Sequence, residues 1–232
     1  MGESERKPVD LFNWVVEHDN DPAVDVHDFL LLLQRHLVSR MTGEHEALLP
    51  DEWKDHLKIK DDRAFEHKVI SFNYPMYDMR HAQDSVNPRT HADVMLLSED
   101  TDDEHPYWYA RVVGVYHALV RYTGPQALSP GVWTHVNFLW VRWFAHNTSY
   151  SSGFPHRRLP RLSFIDTDDP DTSAFGFINP ATVVRAAYIT PSFHSGTTVD
   201  LLPSDSVARK DGSDKDYTFY YANMFVDRNM FM

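Results

Sequence analysis

The residues best suited to recognising a ligand are aromatic side chains in the middle of the chain. Tyr107 and Tyr109 lie two residues apart in one segment, and Trp140 and Phe144 have even spacing in another. Even spacing places side chains on one face of a strand. Such rings form cages for methylated ammonium groups or platforms for nucleobases. Packing of the same rings in a core is the commoner alternative, and the sequence leaves it open.

Three arginines are candidate contacts for a partner. Arg142 adjoins the aromatic residues, and Arg157 and Arg158 follow in a polar loop. A guanidinium group stacks on rings and pairs with phosphate oxygens. Residues 105–165 contain no Asp or Glu, although the formal net charge of the chain is −12. The sequence therefore predicts a local basic surface on an acidic protein, with simple solvation of the two loop arginines as the alternative.

Neither the histidines nor the acidic residues predict a metal site. The chain has 14 histidines, but it has no cysteine and no H-E-x-x-H motif. His91 and Asp93 are the best-spaced pair, on one face of a predicted strand. The acidic turn at 166–171 lacks the glycine and the closing glutamate of a calcium loop. We expect no metal and no other cofactor. A metal-dependent hydrolase that uses the acidic turn and the histidines is a third functional alternative.

Motifs for nucleophilic catalysis and phosphate binding are absent from the sequence. There is no G-x-S-x-G, no G-x-x-x-x-G-K-[ST] and no G-x-G-x-x-G. The lack of cysteine also removes disulfides, thiolate metal sites and cysteine nucleophiles. No apolar run approaches the roughly 20 residues that a membrane span requires. The sequence therefore contains none of these catalytic or phosphate-binding motifs, and we predict no membrane partner.

Short strands between turn signals are predicted to carry the candidate residues. Two long strands, over residues 106–120 and 132–144, hold the aromatic side chains. Leu139, Val141 and Trp143 are predicted to face the core, and Gly114 to mark a bulge or bend. Consecutive strands without βαβ alternation favour an antiparallel, mainly β domain.

The best helical pattern lies near the N-terminus. Residues 26–41 have apolar side chains at helical spacing, with Asp25 as a candidate N-cap and Gly43 placed to end the helix. We expect the helix to pack on the β domain. The stretch before it is expected to be loosely held, and residues 44–66 to be mostly loop.

The predicted organisation has two parts. Residues 1–67 form a helical and extended N-terminal appendage, and residues 68–232 form the main β domain. No linker rich in proline or glycine separates them, so we expect the appendage to dock on the main domain rather than to fold independently.

Six segments of the chain carry a family resemblance. They are residues 87–95, 105–112, 138–144, 158–161, 173–177 and 220–228. They resemble the C-terminal region of fungal Plavaka-type transposases, a group similar to the CACTA/EnSpm DNA transposons. The RNase H-like region of that family, which holds its metal-binding acids, has no match in the chain. The resemblance therefore implies a nuclear protein without strand-transfer activity, either a domesticated protein or a decayed fragment.

A second resemblance concerns the fold. The pattern Y-A-R-V-x-G at 109–114, the strand ending V-R-W-F at 141–144 and Asn179-Pro180 before a strand are similar to bromo-adjacent homology (BAH) modules. Those modules are irregular antiparallel β-barrels of chromatin proteins. The resemblance implies a BAH-like barrel with the N-terminal helix packed on it. An acidic module of this kind suits a basic histone tail better than naked DNA.

The leading hypothesis is a non-catalytic chromatin- or protein-interaction module derived from a DNA transposase. Its expected partner is a histone tail or another protein, and its expected binding surface is the aromatic and basic set described above. The alternative is a DNA-contacting accessory domain that uses Arg142, Arg157 and Arg158. The sequence leaves the ligand and the oligomeric state open.

Overall fold

The computed structural model describes residues 5–24, 26–75, 81–98, 105–153, 156–169, 172–209 and 213–223. Within them the α-helices are α1 (Leu11–Glu17) and α2 (Val26–Thr42). Short 3-10 helices span Pro22–Val24, Glu46–Leu48, Asp51–His56, Pro180–Thr182 and Phe193–Ser195.

The described strands make the fold mainly β. In chain order they are β1 (Pro8–Asp10), β2 (Leu57–His67), β3 (Ile70–Pro75), β4 (His81–Val86), β5 (Asp93–Leu97), β6 (Tyr107–Tyr122), β7 (Thr134–His146), β8 (Arg161–Phe164), β9 (Phe175–Ile178), β10 (Val183–Ala186), β11 (Ile189–Pro191), β12 (Thr197–Thr198), β13 (Asp216–Tyr217) and β14 (Tyr220–Ala222).

A hairpin of the two longest strands, β6 and β7, forms the centre of a large antiparallel sheet. On the outer edge of β6, β5 pairs with the first part of the strand and β2 with the last part. On the outer edge of β7, β9 pairs beside Trp140 and β8 beside Phe144. The strand order of the described residues ends at β1 and β11 without closing a barrel. The prediction of a mainly β, antiparallel fold is confirmed at this level.

A β-bulge in β6 changes which side chains face each side of the sheet. Val112 and Gly114 pair with consecutive residues of β7, which leaves Val113 as the extra residue. As a result, Val112 and Val115 lie in the same core despite their odd spacing. A Cβ atom on Gly114 would lie 2.3 Å from the Tyr116 ring, so any other residue here would have to displace that ring. The bulge predicted at Gly114 is confirmed.

One face of the hairpin forms a core with β3, β5 and β10. Leu139 and Val141 are inaccessible to solvent there, and the half-buried Trp143 packs against the same core. Ile70 and Phe72 of β3 cover these side chains from the other side of the core. The inward orientation predicted for Leu139, Val141 and Trp143 is therefore confirmed.

Helix α2 covers the opposite face of the hairpin. Its buried residues Phe29, Leu33 and Leu37 share a core with Phe138 and Trp140 of β7. An amphipathic helix must bury its apolar stripe, and the aromatic face of β7 supplies the partner surface. The predicted helix and its packing on the β domain are confirmed.

The ends of α2 are only partly described. Gly43, with φ +81°, follows the helix, and its N–H donates to the carbonyl oxygen of Ser39 at 2.8 Å. Gly43 therefore ends the helix as predicted. The predicted N-cap, Asp25, lies outside the described residues.

The first part of the chain is more firmly packed than predicted. Asp10 caps α1 by accepting a hydrogen bond from the N–H of Asn13 at 3.0 Å. Leu11 and Val15 lie one helical turn apart, and both are buried against α2 and the sheet. The expectation that this stretch is loosely held is wrong. Only two of the apolar residues in this seven-residue helix are buried, while Phe12 and Val16 are exposed, so the sequence shows no clear periodic pattern.

The sequence also gives little sign of strand β2. It lies largely in the stretch expected to be loop, and it pairs with both β1 and β6. Asp61 and Asp62 adopt left-handed backbone conformations, with φ +54° and +50°, and interrupt the register with β6 between Ile59 and Ala64. The predicted boundary between the N-terminal appendage and the main domain, after residue 67, therefore falls at the end of β2, and β2 is itself a strand of the large sheet.

Trp140→Ala should lower the free energy of unfolding by about 3–5 kcal/mol, because it empties a buried site in contact with Phe29 and Trp14. Urea denaturation followed by circular dichroism measures the change. Trp133→Ala is the matched control, since Trp133 is exposed, and its loss should stay below about 1 kcal/mol. Equal losses in the two variants would contradict the core position of Trp140.

Candidate functional site

The structure distributes the predicted aromatic surface over two cores. Trp140 packs below α2, whereas Tyr109 and Phe144 lie with Phe164 in a separate cluster beside β8 and β14, against which Tyr107 also packs. Only 2% of Trp140, 9% of Tyr109 and 6% of Phe144 is exposed. Burial raises the pKa of Tyr109 to about 12. The prediction of a single exposed aromatic cage is therefore wrong, because other elements cover both faces of the hairpin of β6 and β7.

Arg142 is buried as well, and it is paired. Its Nη1 donates to Oδ2 of Asp216 at 2.9 Å, and its guanidinium carbon lies 3.9 Å from the centre of the Phe164 ring. Nη1 of Arg209 lies 3.2 Å from the other Asp216 oxygen. Burial lowers the pKa of Arg142, and Asp216 opposes that shift. The prediction that Arg142 contacts a partner at the surface is wrong.

Arg157 and Arg158 do lie at the surface. Both are exposed in the loop before β8, where the N–H of Gly153 donates to the carbonyl oxygen of Arg158 at 2.8 Å. The guanidinium carbons of Arg158 and Arg161 lie 5.6 Å and 4.2 Å from the centre of the Tyr150 ring. These side chains form a small basic surface, separate from the buried aromatic residues.

A pocket of about 250 Å³ opens between α2, β7 and β9. Four aromatic rings and two exposed carboxylates contribute to its lining, and we call it the acidic aromatic pocket. These six residues are Phe29, Trp140, Phe175 and Phe177, with Asp28 and Asp169. Asp28 belongs to the first turn of α2, and Asp169 to the acidic turn before β9. The covering helix and the sheet together create this site.

Edge-to-face packing fixes the rings of the acidic aromatic pocket. The Phe29 ring centre lies 5.4 Å from that of Trp140 and 5.1 Å from that of Phe177, with interplanar angles of 82° and 79°. Phe175 lies 5.9 Å from Trp140 in a tilted arrangement. The pairing of β7 with β9 places Trp140 opposite Phe177. Because these contacts hold each ring from several sides, the pocket is formed without a ligand.

Local hydrogen bonds shape the acidic turn beside the pocket. The N–H of Asp168 donates to Oδ1 of Asp166 at 3.1 Å, and Oγ1 of Thr172 donates to Oδ2 of Asp169 at 2.7 Å. In the described part of the chain, no three His, Asp or Glu residues are grouped to hold a metal ion. Asp171 lies outside that part.

The chemistry of the acidic aromatic pocket favours an organic cation. Ring faces carry negative partial charge, and the carboxylates of Asp28 and Asp169 add full negative charge. Among the described lining residues there is no Lys or Arg. A lysine ammonium group, methylated or not, would meet the two exposed carboxylates and only the small accessible part of the rings, since all four rings are buried.

Sequence reasoning singled out two members of this pocket, Trp140 and Asp169, and assigned them to two different sites. The alternation of Phe175 and Phe177 around Gly176 was a usable signal, since it places both rings on one face of a strand. Nothing local to the sequence shows that Phe29 of the helix reaches the same point. That contact depends on how α2 crosses the sheet.

Comparison with known proteins finds no matching protein-family model, no matching curated protein and no matching solved structure. Within the described residues, no helix is both long enough and apolar enough to cross a lipid bilayer. The case for a function therefore depends on the sites themselves.

Asp216→Asn should lower the free energy of unfolding by about 3–5 kcal/mol, because it leaves the buried guanidinium groups of Arg142 and Arg209 without their counter-ion. Chemical denaturation measures the difference. Asp214→Asn, at an exposed neighbouring position, is the matched control and should change the value by less than about 0.5 kcal/mol. A similar small change in both variants would show that the buried ion pairs contribute little.

Proposed function

We propose that the chain is a non-catalytic interaction module that binds a basic segment of another protein, such as a histone tail. The observation that carries the proposal is the combination of four aromatic rings and two carboxylates around one pocket. Rings and carboxylates that share a pocket attract an alkylammonium group more strongly than either does alone. The acidic aromatic pocket replaces the exposed surface that the sequence predicted.

The size of the pocket supports recognition of a single side chain. Its volume of about 250 Å³ lies below the roughly 300–1,000 Å³ of most small-molecule sites. One lysine side chain would fit within it, while the rest of a basic peptide follows the exposed acids Asp166 and Asp168 beside it. The net charge of −12 attracts a basic partner over longer distances.

A setting in chromatin or in a transposition complex is the second part of the proposal. Its support is the resemblance of six segments to the C-terminal region of Plavaka-type transposases, together with the BAH-like strand pattern. Under this proposal the protein is nuclear and derived from a transposase, and its sheet is an irregular, BAH-like barrel. The antiparallel sheet with a helix packed on one face is compatible with that architecture.

An array of histone-tail peptides, with lysines unmodified and trimethylated, should identify a basic ligand, and fluorescence anisotropy should then give its affinity. Asp28→Lys should weaken binding about tenfold, because it replaces an attractive rim charge by a repulsive one. Asp169→Lys, across the pocket, should act in the same direction. Asp55→Lys changes net charge equally at an exposed position outside the pocket.

The Asp55→Lys variant separates an effect of the pocket from a general effect of net charge. Binding to the Asp55→Lys variant should stay within about twofold of the original, apart from a small general effect of net charge. Equal weakening in all three variants would contradict recognition at the acidic aromatic pocket. Failure of every basic peptide to bind would contradict the proposed function as a whole.

The DNA-contacting alternative now depends on Arg157 and Arg158, which are exposed, since Arg142 is not accessible. If it holds, a gel shift should show duplex binding that falls steeply between about 50 and 200 mM salt. Replacing both arginines by Glu should abolish the shift. The variant with Glu at Lys58 and Lys60, both exposed on β2, matches the charge change and should retain it. Equal loss in both variants, or no shift with the original protein, would contradict the alternative.

A further inference from the structure

Three arginines lie close together where the loop before β8 meets that strand. Arg157 and Arg158 are exposed in the loop, and the half-buried Arg161 is the first residue of β8. We call these arginines, together with the ring of Tyr150, the arginine–tyrosine site. It shares no lining residue with the acidic aromatic pocket.

Aromatic rings hold two of the guanidinium groups in place. The guanidinium carbon of Arg161 lies over two rings, 4.2 Å from the centre of Tyr150 and 4.4 Å from the centre of Phe219. The guanidinium carbon of Arg158 lies 5.6 Å from the centre of the same Tyr150 ring. On the neighbouring strand β14, Tyr221 pairs with Arg161, and its ring centre is 6.2 Å from that of Tyr150. Side chains that are already held by rings lose less conformational entropy when a ligand binds.

The loop before β8 has an unusual backbone conformation. Arg157 has φ +53°, in the left-handed region, which costs free energy in a residue with a side chain. The N–H of Gly153 donates to the carbonyl oxygen of Arg158 at 2.8 Å, so the two ends of the loop are held together. Backbone strain of this kind persists where the surrounding structure maintains it, and it is concentrated at binding sites.

The positive charge of the arginine–tyrosine site has no acidic counterpart. Within the described part of the chain, none of its three arginines forms an ion pair. Among the same residues, the guanidinium of Arg161 makes one hydrogen bond, from Nη2 to Oδ1 of Asn147 at 3.4 Å, and its Nε is buried without a partner. Residues 105–165 and 217–223 contain no Asp or Glu. A half-buried cation without a counter-ion is costly, and an anion that reaches its remaining N–H groups offsets that cost.

The size of the site favours one compact anion over a polyanion. A guanidinium group pairs with phosphate oxygens through two parallel hydrogen bonds. A protein that binds duplex DNA often makes roughly 6–10 phosphate contacts, whereas this site offers three arginines. The net charge of −12 also repels an extended polyanion over longer distances. A single phosphate monoester, with nearly two negative charges at neutral pH, matches the site better.

We propose that the arginine–tyrosine site binds a phosphorylated side chain of a partner protein. The phosphate group contacts Arg158 and Arg161, and Arg157 adds positive charge beside them. The proposal goes beyond the binding of a basic peptide, because it concerns a different surface and a ligand of opposite charge. The DNA-contacting alternative involves Arg157 and Arg158 as well, so the test includes a duplex.

NMR titration of the isotope-labelled full chain tests the proposal with a capped glycine peptide that carries one central phosphoserine. The phosphopeptide should cause saturable amide shifts at residues 147–150 and 157–161, and inorganic phosphate should displace it. The same peptide with serine should cause no shifts there. With glutamate it should bind at least about fivefold more weakly, because a carboxylate carries a single charge. A short DNA duplex, compared at equal concentration of phosphate groups, should also bind more weakly.

Arg161→Lys should weaken phosphopeptide binding about fivefold, because lysine keeps the charge but cannot form two parallel hydrogen bonds or stack on a ring as a plane. Arg158→Gln, at an exposed position, should have a similar effect without a risk to the fold. Arg63→Gln is the matched control. It removes the same charge from an exposed position on β2, across the central hairpin from β8, and should change the affinity less than about twofold.

Four results would each overturn the proposal. They are a phosphopeptide that does not bind saturably, a serine peptide that binds equally well, inorganic phosphate that fails to displace the phosphopeptide, and equal loss of affinity in Arg158→Gln and Arg63→Gln. Tighter binding of the duplex than of the phosphopeptide would overturn it in favour of the DNA-contacting alternative.

Discussion

The antiparallel pairing of β6 with β7 is the contact on which the rest of the structure depends. Every large part of the fold attaches to this hairpin, either along its edges or on its faces. The bulge at Val113 moves Val115 to the face already occupied by Val112, so both side chains lie in the core with β3, β5 and β10. A hairpin with two apolar faces is unstable alone, so α2 on one side and β3, β5 and β10 on the other are needed to keep water from it.

Coverage of both faces also decides where ligands are able to bind. The aromatic side chains of β7 are used in packing, so recognition moves to the margins where covering elements meet the sheet. The acidic aromatic pocket lies at such a margin, between the start of α2 and β9. A second pocket, of about 370 Å³, lies at another, where the segment from β13 to β14 and Arg111 line the same space.

Buried arginines connect the hairpin to the strands and loops that surround the second pocket. Arg111 and Arg142 occupy opposite positions on the paired strands β6 and β7, and each is held by an aspartate from outside the hairpin. Asp93 comes from β5, and Asp216 comes from the C-terminal part of the chain more than 70 residues after Arg142. Stacking on Phe164 further fixes Arg142. The C-terminal part of the chain is thus held against the hairpin by charge compensation as well as by apolar burial.

The sequence by itself determined the mainly β class, the long strands β6 and β7, the bulge at Gly114 and helix α2 with its end at Gly43. Each follows from local alternation, helical spacing or backbone preference. It did not reveal β2, whose charged residues mask its strand pattern, or the fate of Trp140, Tyr109 and Arg142. A β-strand shows two faces, and only tertiary packing decides whether the second faces solvent or α2. The acidic aromatic pocket was hidden for the same reason, because Phe29 meets Trp140 only where helix and sheet pack together.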